Sequence, residues 1–141
     1  MAGTSDLDLR IFDSSRYLSP LTLPTTRLRG GFADVKFLDD LIGVSASHGS
    51  QMSSFGFLSG GLTSTQDSFI DAVKVSLFPD NGDHRYALNY AKGYGEERDS
   101  FLTKQVYSIE GEQRLGGLDL NAELARDDVA TASFAGMEWA N

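Results

Sequence analysis

The stretch Val73–Tyr90, VKVSLFPDNGDHRYALNY, decides the fold. Val73, Val75 and Leu77 alternate with Lys74 and Ser76. Tyr86, Leu88 and Tyr90 alternate with Ala87 and Asn89. Period-two alternation is the signature of a strand, because successive side chains leave opposite faces of the pleat. Between the two runs stands Pro79-Asp80-Asn81-Gly82-Asp83. Asn-Gly supplies the positive-φ residues of a tight hairpin, and the proline ends the first run by removing a ladder donor. The stretch therefore predicts a β-hairpin.

The same alternation recurs outward from it. Leu7, Leu9 and Ile11 share a face, as do Ala33, Val35 and Phe37, then Ile42, Val44 and Ala46, with Phe55 and Phe57 following. Phe69 extends the Val73–Leu77 face, with Asp71 as a lapse. A second hairpin is expected from YALNYAKGY to SFLTKQVYSI across Gly95–Asp99, and a third turn at Glu110-Gly111-Glu112. Three segments also fit helical spacing: FADVKFLDDLIG, STQDSFIDAVKVSLF and LNAELARDD. Strands are favoured over them because turn signals arrive about every dozen residues and β-branched and aromatic residues fill the runs. The expected fold is a mainly β, single domain over residues 1–141, an antiparallel β-sandwich or β-barrel of about eight to ten short strands with at most one or two short helices. Its apolar positions are expected to face inward.

Composition sets limits on function. The chain has 141 residues, 40% of them apolar, and no cysteine. That excludes disulfides and thiolate chemistry. Net charge is −8; residues 1–60 carry six acidic and five basic side chains, and the remainder carries fourteen and seven. An acidic chain does not suit a nucleic-acid backbone or an anionic lipid surface. No window approaches the about 20 consecutive apolar residues of a helical membrane span, and the N-terminus lacks the basic flank and apolar run of a secretory leader. A soluble cytoplasmic protein with no membrane and no nucleic-acid partner is the default expectation, with leaderless export as the exception.

Catalytic and metal inventories are thin. SASHGSQMSSFGFLSGG, Ser45–Gly61, holds His48 between Ser47 and Ser50. A serine nucleophile needs a base in reach and a third group to orient it. No Gly-x-Ser-x-Gly elbow is present. The segment has no lysine or arginine for a phosphate cradle, and Arg98 replaces the third glycine of a dinucleotide pattern begun at Gly93-Tyr94-Gly95. Two histidines without cysteine can make a zinc site only with carboxylates gathered from afar, Asp80, Asn81 and Asp83 miss the calcium-loop spacing, and adjacent acidic pairs do not supply a facing carboxylate dyad. No cofactor or metal is expected.

Tyrosines carry the remaining signal. Tyr86, Tyr90, Tyr94 and Tyr107 cluster, and Trp139 nearly ends the chain. Such rings suit sugars and protein interfaces. The sequence thus favours a non-catalytic binding domain for a glycan or protein, lectin-like in character, with Tyr86, Asn89, Tyr90, Tyr94, Arg98, Tyr107 and Trp139 as contacts. A small β-barrel binding, cyclising or isomerising an apolar small molecule in an internal pocket is the alternative. A self-assembling homo-oligomeric subunit is the third reading.

Overall fold

The computed structural model describes residues 6–19, 21–23, 25–51, 55–57, 60–62, 68–78, 83–97, 100–128 and 131–139. Ten strands follow in chain order: β1 (Asp6–Arg16), β2 (Thr26–Phe37), β3 (Ile42–Gln51), β4 (Phe55–Phe57), β5 (Gly60–Leu62), β6 (Phe69–Leu77), β7 (His84–Glu97), β8 (Ser100–Leu115), β9 (Leu118–Asp127) and β10 (Thr131–Trp139). Eight form one antiparallel meander in the order β1-β2-β3-β6-β7-β8-β9-β10, and β4 and β5 make a separate small hairpin. The mainly β, antiparallel expectation holds. The sheet is a single layer rather than two packed sheets, and among the described residues no pairing joins β1 to β10, so it is not closed.

The VKVSLF–HRYALNY hairpin forms with Leu77 opposite Tyr86 and Val73 opposite Tyr90. Its turn, 79–82, lies outside the described residues. Among the described residues none of the three helix-compatible segments is helical: they form strand, apart from the turn Leu38–Leu41 and the flanking residues Ser68, Phe78 and Asp128. The turn expected at Glu110-Gly111-Glu112 does not occur: these residues lie inside β8, and the chain reverses at Gly116-Gly117, which take φ of 56° and 89°. Two consecutive glycines at positive φ need no side-chain accommodation, which is why the reversal falls there.

Connections alternate between the two ends of the sheet. One end carries the links β2–β3, β6–β7 and β8–β9, and the other carries the links β1–β2, β3–β6, β7–β8 and β9–β10, of which β1–β2 and β3–β6 are the longest. Between β1 and β2, residues 17–19 and 21–23 fold back over one face of the sheet. Leu18 and Leu23 are buried there with Leu28, Phe32, Ile70, Ala72, Ala91, Val106 and Ala125. Leu18 N–H donates to the Leu23 carbonyl at 2.9 Å and closes the segment on itself. Strands from β2 to β9 thus curl around one inserted loop. Gly30 and Gly49 face each other on that inner surface, where a Cβ on Gly30 would lie 2.0 Å from the His48 carbonyl oxygen, so the backbones can approach only as glycine.

Burial corrects the expected orientation of the side chains. Along β7, Ala87, Asn89, Ala91 and Gly93 are buried, while Tyr86 and Leu88 are exposed. Val73, Val75 and Leu77 of β6 are exposed as well, with Ile70 and Ala72 inside. The alternation was legible, but its large apolar parity points outward.

Candidate functional site

Cross-strand register shows how far the outward apolar surface extends. Leu7, Val35, Val44, Val75, Leu88, Ile109 and Leu124 form one unbroken row across seven strands and end at Ser133 on β10. Flanking rows on the same face run Phe37-Ile42-Leu77-Tyr86 and Leu9-Ala33-Ala46-Val73-Tyr90-Tyr107. Leu88 and Ile109, at the middle, are 59% and 55% exposed. A contiguous apolar surface of this kind signals something that covers it.

The band is staggered. On β1 the apolar run Leu7, Leu9, Ile11 centres on Leu9, whose register row reaches β9 at Arg126. On β9 the run Leu118, Leu120, Ala122, Leu124 centres on residue 121. The band therefore slips about five residues in six strand steps, an angle of about 30° to the perpendicular at ~3.4 Å per residue and ~4.8 Å per strand. Barrel strands tilt by a similar angle. Along β7 the outward positions are apolar between His84 and Lys92, and along β8 no charge interrupts them between Gln113 and Gln105. Eight residues span about 27 Å, or about 24 Å of height after that tilt, close to the ~25 Å apolar band of membrane barrels.

The inner face carries polar groups beside the apolar core of Leu28, Phe32, Ile70, Ala72, Ala91, Val106 and Ala125. Glu123, 4% exposed, accepts the Ser19 hydroxyl at 2.5 Å and the Leu21 N–H at 3.0 Å, and Thr22 Oγ1 lies 3.3 Å away. Ser108 Oγ joins Thr22 Oγ1 at 2.6 Å and receives Asn89 Nδ2 at 3.1 Å. Lys74 pairs with Glu110 and donates to the Leu18 carbonyl at 2.7 Å, and Arg85 pairs with Glu112. These charges line a cavity of about 410 Å³ with Tyr17 and Asn121. Burial first, then the carboxylates of Glu110 and Glu123, hold the Tyr17 phenol above the usual tyrosine range. The cavity offers charge already paired within the protein rather than an apolar wall.

The sequence-derived contacts divide between the faces. Tyr86, Tyr90 and Tyr107 lie outward, with the Tyr90 and Tyr107 rings 5.1 Å apart. Tyr94 lies further along the same face and stacks on Phe69 at 5.8 Å. Asn89 is on the opposite face, buried at 3% exposure. Trp139 pairs with Leu118 in β10, and Arg98 lies outside the described residues. The grouping expected from sequence is thus broken by parity at Asn89.

One association was missed. His48 and Asp71 are directly opposite on β3 and β6, with Nδ1 and Oδ1 2.5 Å apart. Asp71 interrupted an otherwise apolar face in the sequence, and only the register shows what it faces. Among the described residues no cluster of three or more His, Cys, Asp or Glu could hold a metal, and no helix is long and apolar enough to cross a membrane. No family model, curated protein or solved structure matches the chain.

Proposed function

We propose that the protein is a membrane-embedded β-barrel-type protein whose outward face is covered by lipid. The carrying observation is the outward apolar band: an unbroken apolar row crosses seven strands and is exposed at Leu7, Val75, Leu88, Ile109 and Leu124, while ion pairs such as Lys74–Glu110 lie on the inner face beside the apolar core. A domain surrounded by water rarely leaves a contiguous apolar surface of this extent uncovered. Band height, stagger and the even number of strands in the described sheet support the same reading. Spanning by strands needs only about 9–11 residues each, so a search for about 20 apolar residues has nothing to find. This reading differs from the soluble, membrane-free expectation, and the flotation experiment below decides between them.

In this setting Tyr86 and the Tyr90–Tyr107 pair lie within the band, one pleat inside its polar limits at His84 and Lys92. Their flat rings and polar tips suit the lipid–water boundary as well as they would suit a glycan. Residues 17–19 and 21–23, held by Glu123, Lys74 and Ser108, plug the interior, so the function is that of an anchored scaffold rather than an open pore. Unpaired strand edges are not tolerated in hydrocarbon, so β1 and β10 must pair in the membrane. As first and last strands of an even antiparallel meander they run in opposite directions, as that pairing requires.

Flotation with phosphatidylcholine vesicles in 4 M urea at alkaline pH tests the proposal. Insertion predicts that the protein rises with the vesicles, and that one of the cysteine pairs formed by Leu7, Leu9 or Ile11 with Ser133, Ala135 or Met137 cross-links within a single chain. A protein left at the bottom of the gradient would overturn it.

A further inference from the structure

We propose that Ser50, His48 and Asp71 form a hydrolytic site for the acyl ester of an amphiphile, on the outer face just beyond the apolar band. The hydrolytic chemistry stands on local geometry, and the amphiphilic substrate class rests on the lipid-facing reading above.

Asp71 holds His48 by Nδ1, which leaves Nε2 directed away from the carboxylate as a base. Ser50 is two residues further along β3 and so on the same face, about 7 Å away at Cα, a gap that the hydroxymethyl and imidazole side chains can close. Ser47, the other serine beside His48, is paired with Phe32 and Ala72 on the inner face and cannot serve. The direct cross-strand partner of Ser50 is Phe69, and the His48 ring stacks on Phe69 at 6.1 Å and 12°, so it leans toward Ser50. Phe69 continues into Tyr94, which makes a flat aromatic wall beside the three residues. Lys92, the partner of Asp71 on β7, adds a cation on the same row, with its ammonium 5.9 Å from the Tyr94 ring. His48 and Asp71 are 63% and 42% exposed, open to a substrate arriving from the side. The adjacent row, Ala46-Val73-Tyr90, belongs to the apolar band. An amphiphile whose chains lie along that band presents its ester bond at this level.

The step balances without another reactant than water. Ser50 Oγ bonds to the ester carbonyl carbon as its proton passes to His48 Nε2. The carbon–oxygen bond to the alcohol breaks, and the alcohol leaves with that proton. Water, deprotonated by His48, then attacks the acyl-Ser50, and Ser50 recovers its proton as the carboxylic acid is released. Asp71 orients the imidazole and balances its charge.

The test uses the whole protein in mixed micelles with p-nitrophenyl octanoate as substrate and a fluorophosphonate as covalent label. Peptide mapping of the labelled wild-type protein should place the adduct on Ser50. Ser50→Ala should abolish labelling, and His48→Gln should lower the hydrolysis rate at least ~100-fold, while Ser47→Ala leaves it unchanged. No adduct, an adduct elsewhere, or undiminished hydrolysis by Ser50→Ala would overturn the proposal. Because mapping uses unaltered protein, misfolding of a variant does not blunt the test. An adduct on Ser50 with equal turnover of p-nitrophenyl acetate in buffer would keep the triad and sink the amphiphile class, separating this failure from that of the lipid-facing reading.

Discussion

Placing an arginine at Leu88 separates a lipid-covered face from a hydrated one. Leu88 lies on the central apolar row, between Val75 and Ile109, and is 59% exposed with no polar neighbour on its row between β1 and β9. On a protein surface in water, such a substitution changes stability by about 0.5 kcal/mol or less. At the middle of a bilayer the same change costs about 2–4 kcal/mol, a factor of roughly 30 to 700 in the folding equilibrium. The cost should fall along the strand direction. Ile109→Arg on the neighbouring strand should match Leu88→Arg, and Gln113→Arg, four residues further along β8 at the margin of the band, should cost only about 0–1 kcal/mol. Urea titration in phosphatidylcholine vesicles, followed by the emission of the single tryptophan, Trp139, gives the free energies. If Leu88→Arg stays within ~0.5 kcal/mol of wild type in vesicles, the face does not meet lipid and the reasoning fails.

Three further outcomes follow from the inner face. Gly30→Ala should prevent correct pairing of β2 with β3, because its Cβ meets the His48 carbonyl, whereas Gly31→Ala, with nothing within 4 Å, should be nearly neutral in thermal unfolding. Glu123→Ala removes the acceptor of Ser19 and Leu21; a loss of about 2–4 kcal/mol is expected, with faster proteolysis within segment 17–25. Tyr17 favours its neutral phenol in the folded state, so its contribution is complete below the ordinary tyrosine value of about 10 and is lost as pH rises past it; Tyr17→Phe should flatten that alkaline decline in stability.

Much of the fold was legible because alternation and turn chemistry are local. Val73, Val75 and Leu77, the Asn81-Gly82 dipeptide, and Tyr86, Leu88 and Tyr90 were sufficient to identify the hairpin and its strands. What could not be read was which face points where. Period two separates the faces but does not say which solvent each one meets, and water is the usual assumption for apolar groups turned inward. The opposite parity held the clue: Lys74, Ser76, Ala87 and Asn89 are too small or too polar for an ordinary core, yet suit a narrow, charged interior. Leu18 and Leu23, between β1 and β2, supply buried core that the alternation does not reveal, because a long-range insertion leaves no periodic trace. His48 and Asp71 lie 23 residues apart, and their meeting depends on the β3–β6 register across the intervening β4–β5 segment.

The most direct measurement places single cysteines at successive positions 87 to 91 of the cysteine-free chain and attaches a nitrobenzoxadiazole fluorophore to each. Quenching by lipids nitroxide-labelled on their acyl chains then reports contact with hydrocarbon. Lipid contact on the outward face predicts strong quenching at 88 and 90 and little at 87, 89 and 91. Equal quenching at all five positions, or strong quenching confined to 87, 89 and 91, would contradict it.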